Sequence, residues 1–258
     1  MERTLNRILA AVSGVVLAGA AASSLAARTA HDAAWSYSGK TGPAHWAKLD
    51  KSFAACSNGH TQSPIDIPEA DARKGDLPAL LFNYKPSVLD IVDDENAIEV
   101  RYAPGSVVSV AGKRYELQQI RFRHPAEHKI GGKGHDMEAQ LVHKSADGKL
   151  AVVAVFLDAG KDNKAMRTLV ANLPSDKGKE HKADAVTFNA IDLLPGNKGY
   201  YTFAGSLTNP PCTEGVTWFV LKTPVQLLAD EIARLSRAYA DNARPVQPVN
   251  GRDITGTI

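Results

Sequence analysis

The stretch that decides both the fold and the site covers residues 119–128 and reads QIRFRHPAEH. A second stretch, residues 137–143, reads MEAQLVH. Arg121 and Arg123 are two residues apart, so their side chains point to the same face of a β-strand. Gln140 occupies the equivalent face of the second stretch. Together the two stretches predict neighbouring strands that present two arginines and one glutamine to a single cavity.

Further motifs follow one another along the chain in a recognisable order. They read WSYSG at 35–39, GP at 42–43, QSPIDI at 62–67, AGSLTNPPCTE at 204–214, VTW at 216–218 and RPVQP at 244–248. With the two stretches above, this series resembles the α-class carbonic anhydrases, and within them the bacterial secreted branch. The resemblance implies that residues 27–258 form one mainly β domain. Its fold is a single large, mostly antiparallel sheet of about ten strands with short surface helices.

In the family that the chain resembles, three histidines hold a catalytic zinc ion. The resemblance places those histidines at Arg121, Arg123 and Gln140. A catalytic zinc site needs three protein ligands and an open position for water. Arginine stays protonated and offers only donors, and one amide oxygen beside two cations is a poor ligand for a dication. We therefore expect no zinc at these positions and no other cofactor.

The resemblance also implies which pocket residues are kept. Thr208 corresponds to the threonine that accepts a hydrogen bond from zinc-bound hydroxide, and Glu127 to the glutamate that orients this threonine. The other implied pocket positions are the polar residues Tyr37, Gln119 and Glu138 and an apolar wall of Val142, Val152, Leu207 and Trp218. The proton-shuttle histidine falls at Asn96, whose amide does not titrate. The expectation is a retained pocket without its metal and its shuttle.

The two arginines admit two interpretations. In the first, Glu127 and Glu138 pair with Arg121 and Arg123, since an unpaired buried charge costs several kcal/mol. In the second, the arginines hold an anion such as bicarbonate, phosphate or a carboxylate by forked hydrogen bonds. We favour internal pairing, because buried charges are usually satisfied within the protein. Binding of an unknown protein partner at the pocket mouth is a further alternative.

Four histidines, at positions 124, 128, 135 and 143, cluster in the sequence without the spacing of a metal site. Strand alternation places His124 and His143 on the face away from the pocket. The resemblance gives His128 a structural hydrogen-bonding role. We interpret these histidines as surface or core residues.

The first 26 residues have the features of a secretory signal. Arg3 and Arg7 precede an apolar run over residues 8–17, and SLA at 24–26 fits a cleavage site. A membrane anchor is the alternative, but the apolar run is short for a membrane span. We predict a mature chain of residues 27–258 with no stable membrane anchor, located in the periplasm or secreted.

Two cysteines, Cys56 and Cys212, are the only ones in the chain. An exported protein occupies a compartment that permits disulfides. The family resemblance pairs these two positions, which both lie in matching motifs. Two buried free thiols are the alternative.

The charge pattern bears on the possible partners. The whole chain has a formal net charge of +2. Removal of Glu2, Arg3 and Arg7 with the signal takes away one positive charge and leaves +1. Lysines and acids are interspersed, which is typical of a solvated surface. We expect neither nucleic acid nor an acidic membrane as a partner.

Short runs of β-branched and apolar residues predict the secondary structure. The predicted strands are residues 97–102, 107–110, 115–123, 138–143, 150–157 and 216–222. The run at 150–157 is nearly all apolar, so we expect a strand buried on both faces. Residues 164–172 and 229–241 are predicted to be helical, and the polar residues 174–185 to form an exposed loop.

Three functions are compatible with the sequence. The first is an exported, zinc-less and catalytically inactive relative of the carbonic anhydrases, a pseudoenzyme that has lost carbonate dehydratase activity. The second is hydration of carbon dioxide without metal, in which Arg121 and Arg123 stabilise an anionic transition state. That route lacks an evident base, because Thr208 has no histidine placed to activate it. The third is a module that binds an anion through the same arginines, or a protein partner.

Overall fold

Fifteen β-strands, four α-helices and three short 3-10 helices make up the secondary structure of the described residues, 34–239 and 241–258, of this computed structural model. The strands are β1 Asp66–Ile67, β2 Arg73–Gly75, β3 Leu81–Asn83, β4 Ser87–Asp93, β5 Ile98–Arg101, β6 Val107–Val110, β7 Lys113–Arg123, β8 Lys129–Ile130, β9 Met137–Ser145, β10 Leu150–Ala159, β11 Glu180–Phe188, β12 Tyr200–Ser206, β13 Glu214–Leu221, β14 Val225–Leu227 and β15 Thr255–Thr257. The helices are α1 Trp46–Leu49, α2 Ala55–Asn58, α3 Lys164–Ala171 and α4 Ala229–Ala238. The predicted secretory signal and the boundary at residue 27 lie outside the described residues.

Ten strands form the central path of one large sheet, in the order β11-β4-β5-β7-β9-β10-β13-β12-β15-β2. Three more strands attach beside this path, namely β3, β6 and β14. Most neighbours run antiparallel; the parallel pairs of the large sheet are β10 with β13, β10 with β14 and β15 with β2. A separate pair of short parallel strands, β1 and β8, stands outside it. The prediction of a mainly β fold with one large, mostly antiparallel sheet is confirmed.

Strand β10 lies in the middle of the sheet and is buried along nearly its whole length, as its apolar sequence predicts. Its odd-numbered residues from Ala151 to Leu157 pack into a core beneath α3 and α4. Its even-numbered residues Val152, Ala154 and Phe156 pack into a second core on the opposite face. The sheet therefore separates two apolar clusters, and the second lies on the face that carries the site.

The pairing of β7 with β9 sets the face on which the site forms. Arg121 is opposite Gln140 in the register, and Arg123 is opposite Glu138. The register shifts once, between Leu117 and Gln119. A bulge of this kind changes which residues face each side, since side chains alternate along a strand. After the shift the arginines face away from the first core, as the spacing predicts.

The prediction of a loop over residues 174–185 is wrong from Glu180 onward. Glu180–Phe188 forms β11, which pairs with β4 at one end of the sheet's central path, with a register shift between Ala183 and Thr187. Most residues of β11 are exposed. An edge strand has a neighbour on one side only and often carries charged side chains, so a polar sequence is compatible with it. None of the described helices is long and apolar enough to cross a membrane.

Candidate functional site

Arg123 lies at the centre of the candidate site, and its side chain has no exposed surface. Its Nε is 3.6 Å from Oε2 of Glu127. This distance makes the contact an ion pair without a hydrogen bond. The guanidinium carbon lies 5.4 Å from the centre of the Tyr37 ring, within cation–π range. None of the three guanidinium nitrogens hydrogen-bonds to a described residue. Arg123 is thus a buried charge whose hydrogen-bonding capacity is unused.

Arg121 points towards the rim of the site and is already paired. Its Nη2 is 2.8 Å from Oε2 of Glu99 and 3.5 Å from Oδ2 of Asp94. Glu99 is opposite Arg121 in the pairing of β5 with β7, so the contact follows from the strand register. Burial raises the pKa of Glu99, and the attraction of Arg121 opposes that rise. The prediction that Arg121 pairs with Glu127 or Glu138 is wrong, because the neighbouring strand supplies its partner.

Gln140 holds two buried carboxylates together. Its amide nitrogen donates to Oε2 of Glu127 at 2.6 Å and to Oε1 of Glu138 at 3.0 Å. Glu138 is held further by His128, whose backbone N–H donates at 2.8 Å and whose Nδ1 lies 3.0 Å from Oε1. Glu138 therefore pairs with His128 and not with an arginine, and that part of the sequence prediction is wrong. His128 takes the structural hydrogen-bonding role that the resemblance implies.

Glu127 receives hydrogen bonds from several directions. The backbone N–H of Arg244 donates to its Oε1 at 2.8 Å, and the Gln140 amide donates to its Oε2. The Thr208 hydroxyl acts to lower the pKa of the same carboxyl group. Burial raises the pKa of Glu127, and the attraction of Arg123 offsets this rise only in part. We attribute the weak offset to the missing hydrogen bond between the two groups.

Glu138 differs from Glu127 in the direction of its pKa shift. Burial acts to raise the pKa of Glu138, but its charge interaction and hydrogen bonds with His128 outweigh burial, and the pKa is lowered. Hydrogen bonds to an ionised carboxylate favour the charged form. The site thus contains one carboxyl group whose pKa is lowered, Glu138, and one whose pKa is raised by burial, Glu127.

Arg244 joins the C-terminal segment to the N-terminal part of the domain. Its guanidinium donates to the Gln62 side chain at 2.9 Å and to the carbonyl oxygens of Ser63 and Cys56 at 2.7 and 2.8 Å. Burial lowers the pKa of this guanidinium to about 10. These neutral acceptors are its only described hydrogen-bond partners, so its charge has no carboxylate of its own.

Replacing Arg244 by methionine is expected to lower the free energy of unfolding by about 3 kcal/mol, because three buried acceptors lose a charged donor. Urea unfolding of the mature chain measures the change. Arg252→Met is the matched control, since Arg252 also donates to backbone carbonyls, of Ala204 and Pro248, but at the surface. The control is expected to lose under about 1 kcal/mol. Equal losses in the two variants would contradict the role given to Arg244.

The predicted apolar wall comes together in the structure. Val152 of β10 is opposite Val142 of β9 on one side and Trp218 of β13 on the other. Val142 and Leu207 both pack against the apolar cluster that contains Val152 and Trp218. The four side chains therefore meet on the site face of the sheet.

Two other predicted positions lie at the margin of the site. Asn96 is in the turn between β4 and β5, where it and Tyr37 line a cavity of about 180 Å³. Gln119 is half-buried beside Arg121 on β7, and within the described part of the chain its side chain makes no hydrogen bond. The hydrogen bonds described for Glu127 and Glu138 come from other residues, so Gln119 does not hydrogen-bond to either carboxylate.

His143 lies on the opposite face of the sheet from the site, as predicted. Its Nε2 is 2.7 Å from the Tyr84 hydroxyl, and burial lowers its pKa to about 3. Among residues 34–239 and 241–258 no group of three or more His, Cys, Asp and Glu side chains is placed to hold a metal ion. The clustered histidines thus take separate positions.

The residues at the three implied ligand positions do not suit a zinc ion. Arg121 and Arg123 carry donors only. The amide nitrogen of Gln140 faces the two carboxylates, which leaves one amide oxygen as the only acceptor in the set. Three protein ligands with lone pairs are needed for a catalytic zinc.

The predicted disulfide is confirmed. Cys56 and Cys212 are bonded, with their Cα atoms 5.0 Å apart. Cys212 is in the loop between β12 and β13, which also carries Thr208. The Cys212 backbone N–H donates to the Asn209 carbonyl at 2.8 Å, and the Gln62 side chain donates to the Cys212 carbonyl at 3.1 Å. The disulfide therefore ties the Thr208 loop to the N-terminal helices.

Three charged residues of the site were not assigned to it from the sequence, namely Asp94, Glu99 and Arg244. Glu99 had a detectable signal, since it is a single acid in an apolar predicted strand beside the strand of Arg121. Arg244 begins the motif RPVQP, but nothing in that motif connects it with Glu127, which lies 117 residues earlier and whose carboxylate accepts from the Arg244 backbone N–H. Only the folded chain brings these segments together.

Proteins similar to this chain in sequence and in fold point to one family. Residues 41–258 match the sequence profile of the family described as eukaryotic-type carbonic anhydrase. A carbonic anhydrase of Neisseria gonorrhoeae is 40% identical over 254 residues, which are 98% of this chain and 97% of that protein. The α-carbonic anhydrase of Thermovibrio ammonificans, solved with the inhibitor sulfanilamide, is 37% identical with a TM-score of 0.84, over 86% of this chain and 99% of that chain. Dioscorin, solved in complex with ascorbate, is 29% identical with a TM-score of 0.81, over 86% of this chain and 97% of that chain. The chain belongs to the eukaryotic-type carbonic anhydrase family.

Proposed function

We propose that this chain is an exported, zinc-less member of the family that does not hydrate carbon dioxide. The observation that carries the proposal is the Arg123 guanidinium, fully buried at an implied zinc-ligand position. Two unit charges about 4 Å apart interact by about 4 kcal/mol at an effective dielectric constant near 20, and a dication doubles this repulsion. A zinc ion beside Arg123 would therefore be strongly disfavoured.

A metal-free hydration would need a base, and the one imidazole among the site residues described above, His128, is fully buried with its Nδ1 on Glu138 and its ring 4.5 Å from the Trp218 ring. Zinc makes hydroxide available near neutral pH by lowering the pKa of bound water from about 15.7 to roughly 7. Without zinc, a side chain would have to take the proton from water. Both oxygens of Glu127 accept hydrogen bonds from the protein, and the Nδ1 of His128 faces Glu138. This arrangement supports an inactive site rather than a second catalytic route.

We also propose that the mature chain is periplasmic or secreted. The disulfide between Cys56 and Cys212 supports this location, because structural disulfides form and persist in oxidising compartments. The signal-like sequence of the first 26 residues supports it independently.

Purified mature chain is expected to retain well under one zinc per chain after incubation with zinc and desalting, and to leave carbon dioxide hydration at the uncatalysed rate. Elemental analysis gives the metal content, and stopped-flow measurement with a pH indicator gives the rate on the same sample. The carbonic anhydrase of N. gonorrhoeae, purified in parallel, is the positive control. One zinc per chain with accelerated hydration would contradict the proposal. Zinc-free acceleration that disappears in Arg123→Gln would instead support the metal-free route.

A second candidate function is the binding of a small anion in the retained pocket. The three guanidinium nitrogens of Arg123 favour it, since they have no acceptor among the described residues. The relative dioscorin, which was solved with ascorbate, supports small-molecule binding on this fold. Arg121, which the sequence suggested for the same role, is already paired with Glu99 and Asp94.

A further inference from the structure

Four polar atoms with donor capacity meet in the site without a described partner. They are Nε, Nη1 and Nη2 of Arg123 and the hydroxyl of Tyr37, all of them buried. Burial raises the pKa of Tyr37, so its hydroxyl keeps its proton and remains a donor. Leaving a buried donor unsatisfied costs about 1–3 kcal/mol, and more for a charged group. Since all four atoms can donate, the group that would satisfy them must offer acceptors.

The local charges suit one negative charge. The guanidiniums of Arg123 and Arg244 both interact with Glu127, and neither has another carboxylate as a direct partner. Glu138 is engaged by His128 and Gln140. Arg123 and Arg244 thus share Glu127 as their nearest carboxylate, while Asp94 and Glu138 act on Arg123 only at longer range. A monoanion adds less negative charge to this site than a dianion, so the monoanion is the better fit.

We propose that this site binds a small monocarboxylate, with Arg123 and the Tyr37 hydroxyl as its two donors. The inference rests on the proposed function, because it requires the position of Arg123 to be free of metal. A carboxylate has two oxygens in one plane, so one can accept from the guanidinium while the other accepts from the phenol. Arg121 has no part in this site, because Glu99 and Asp94 occupy its guanidinium.

Tyr37 lies next to both Arg123 and a cavity. Its side chain lines the 180 Å³ cavity shared with Asn96, and its ring faces Arg123 from 5.4 Å. Arg123 itself has no exposed surface. Access from this cavity to Arg123 would require the Tyr37 side chain to move, and the volume of about 180 Å³ suits a small acid.

The test titrates the mature chain with sodium acetate at constant ionic strength, by calorimetry and by NMR. Acetamide is the control ligand, with the same shape and no charge. Saturable binding of acetate is expected, with none for acetamide. Arg123→Gln is expected to abolish binding, while the matched control Arg121→Gln is expected to retain it. Tyr37→Phe is expected to weaken acetate binding about five- to tenfold, which corresponds to one lost hydrogen bond.

Tyr37→Phe keeps the test decisive if Arg123→Gln does not fold. The Tyr37 hydroxyl has no described partner, so its removal is expected to leave the thermal midpoint of the ligand-free chain unchanged or raised. Weaker acetate binding with unimpaired stability would support the site. Absence of saturable acetate binding, equal affinity in Tyr37→Phe, or equal binding of acetamide would overturn it. Zinc content measured on the same samples separates failure of this inference from failure of the zinc-less proposal.

Discussion

Replacing Arg121, Arg123 and Gln140 together by histidine is expected to create a zinc site with an affinity at least about a thousandfold above that of the unaltered chain. The register supports this result, since Arg121 is opposite Gln140 and both arginines lie on one face of β7. The groups that surround the new ligands are also in place. Glu127 and Glu138 are buried beside them, and carboxylates of this kind orient ligating histidines.

Competition with a chromophoric chelator measures the zinc affinity of the triple variant, and stopped-flow kinetics measure its hydration of carbon dioxide. The double variant Arg121→His/Arg123→His, which keeps Gln140, is the control and is expected to bind zinc far more weakly with two histidines. The recovered rate should be modest, because Asn96 does not shuttle protons, and Asn96→His should raise it. A folded triple variant that binds no zinc would show that these three positions do not form the family's metal site.

Arg123→Met is expected to lower the free energy of unfolding by about 4 kcal/mol at pH 7. Removing one partner of a buried ion pair leaves the other charge uncompensated, which costs roughly 3–5 kcal/mol. Glu127 has no exposed side-chain surface, so water cannot replace Arg123. Urea unfolding followed by circular dichroism measures the loss.

The surface pair Arg101–Glu180 is the matched control, with side chains 47% and 62% exposed. Arg101→Met is expected to lose under about 1 kcal/mol, as is usual for exposed pairs.

The loss of stability in Arg123→Met should also depend on pH. Burial raises the pKa of Glu127 in the folded state. The neutral Glu127 carboxyl group therefore contributes to folding stability below the pKa it has in the unfolded chain. This contribution is lost as pH rises through the pKa it has in the folded chain. The deficit should therefore be smaller near pH 4 than at pH 7, and a deficit independent of pH would contradict an unpaired Glu127 as its cause.

Much of the sheet could be predicted from local sequence. The strands over residues 107–110 and 150–157 and the start of α3 at Lys164 follow from short apolar runs and their flanking residues. The exception is β11, whose polar sequence resembles a loop. Its conformation depends on hydrogen bonds to β4 rather than on its own apolar residues. The local sequence pattern predicts a strand where the strand is buried, because buried positions require apolar residues. It does not predict a strand at an exposed edge, where polar residues are tolerated.

The sequence by itself determined the family of this protein, its predominantly β fold and the residue types at the three positions where the resemblance places the zinc ligands. These features depend on residue type and on spacing within a strand, which need no knowledge of the folded chain. Only the tertiary structure decided how the two arginines are used. Arg121 is neutralised by Glu99 of the neighbouring strand, whereas Arg123 meets Glu127 at 3.6 Å and keeps its nitrogens unpartnered. The reason is that charge pairing depends on distances of a few ångströms between segments far apart in the chain, and sequence spacing does not contain those distances.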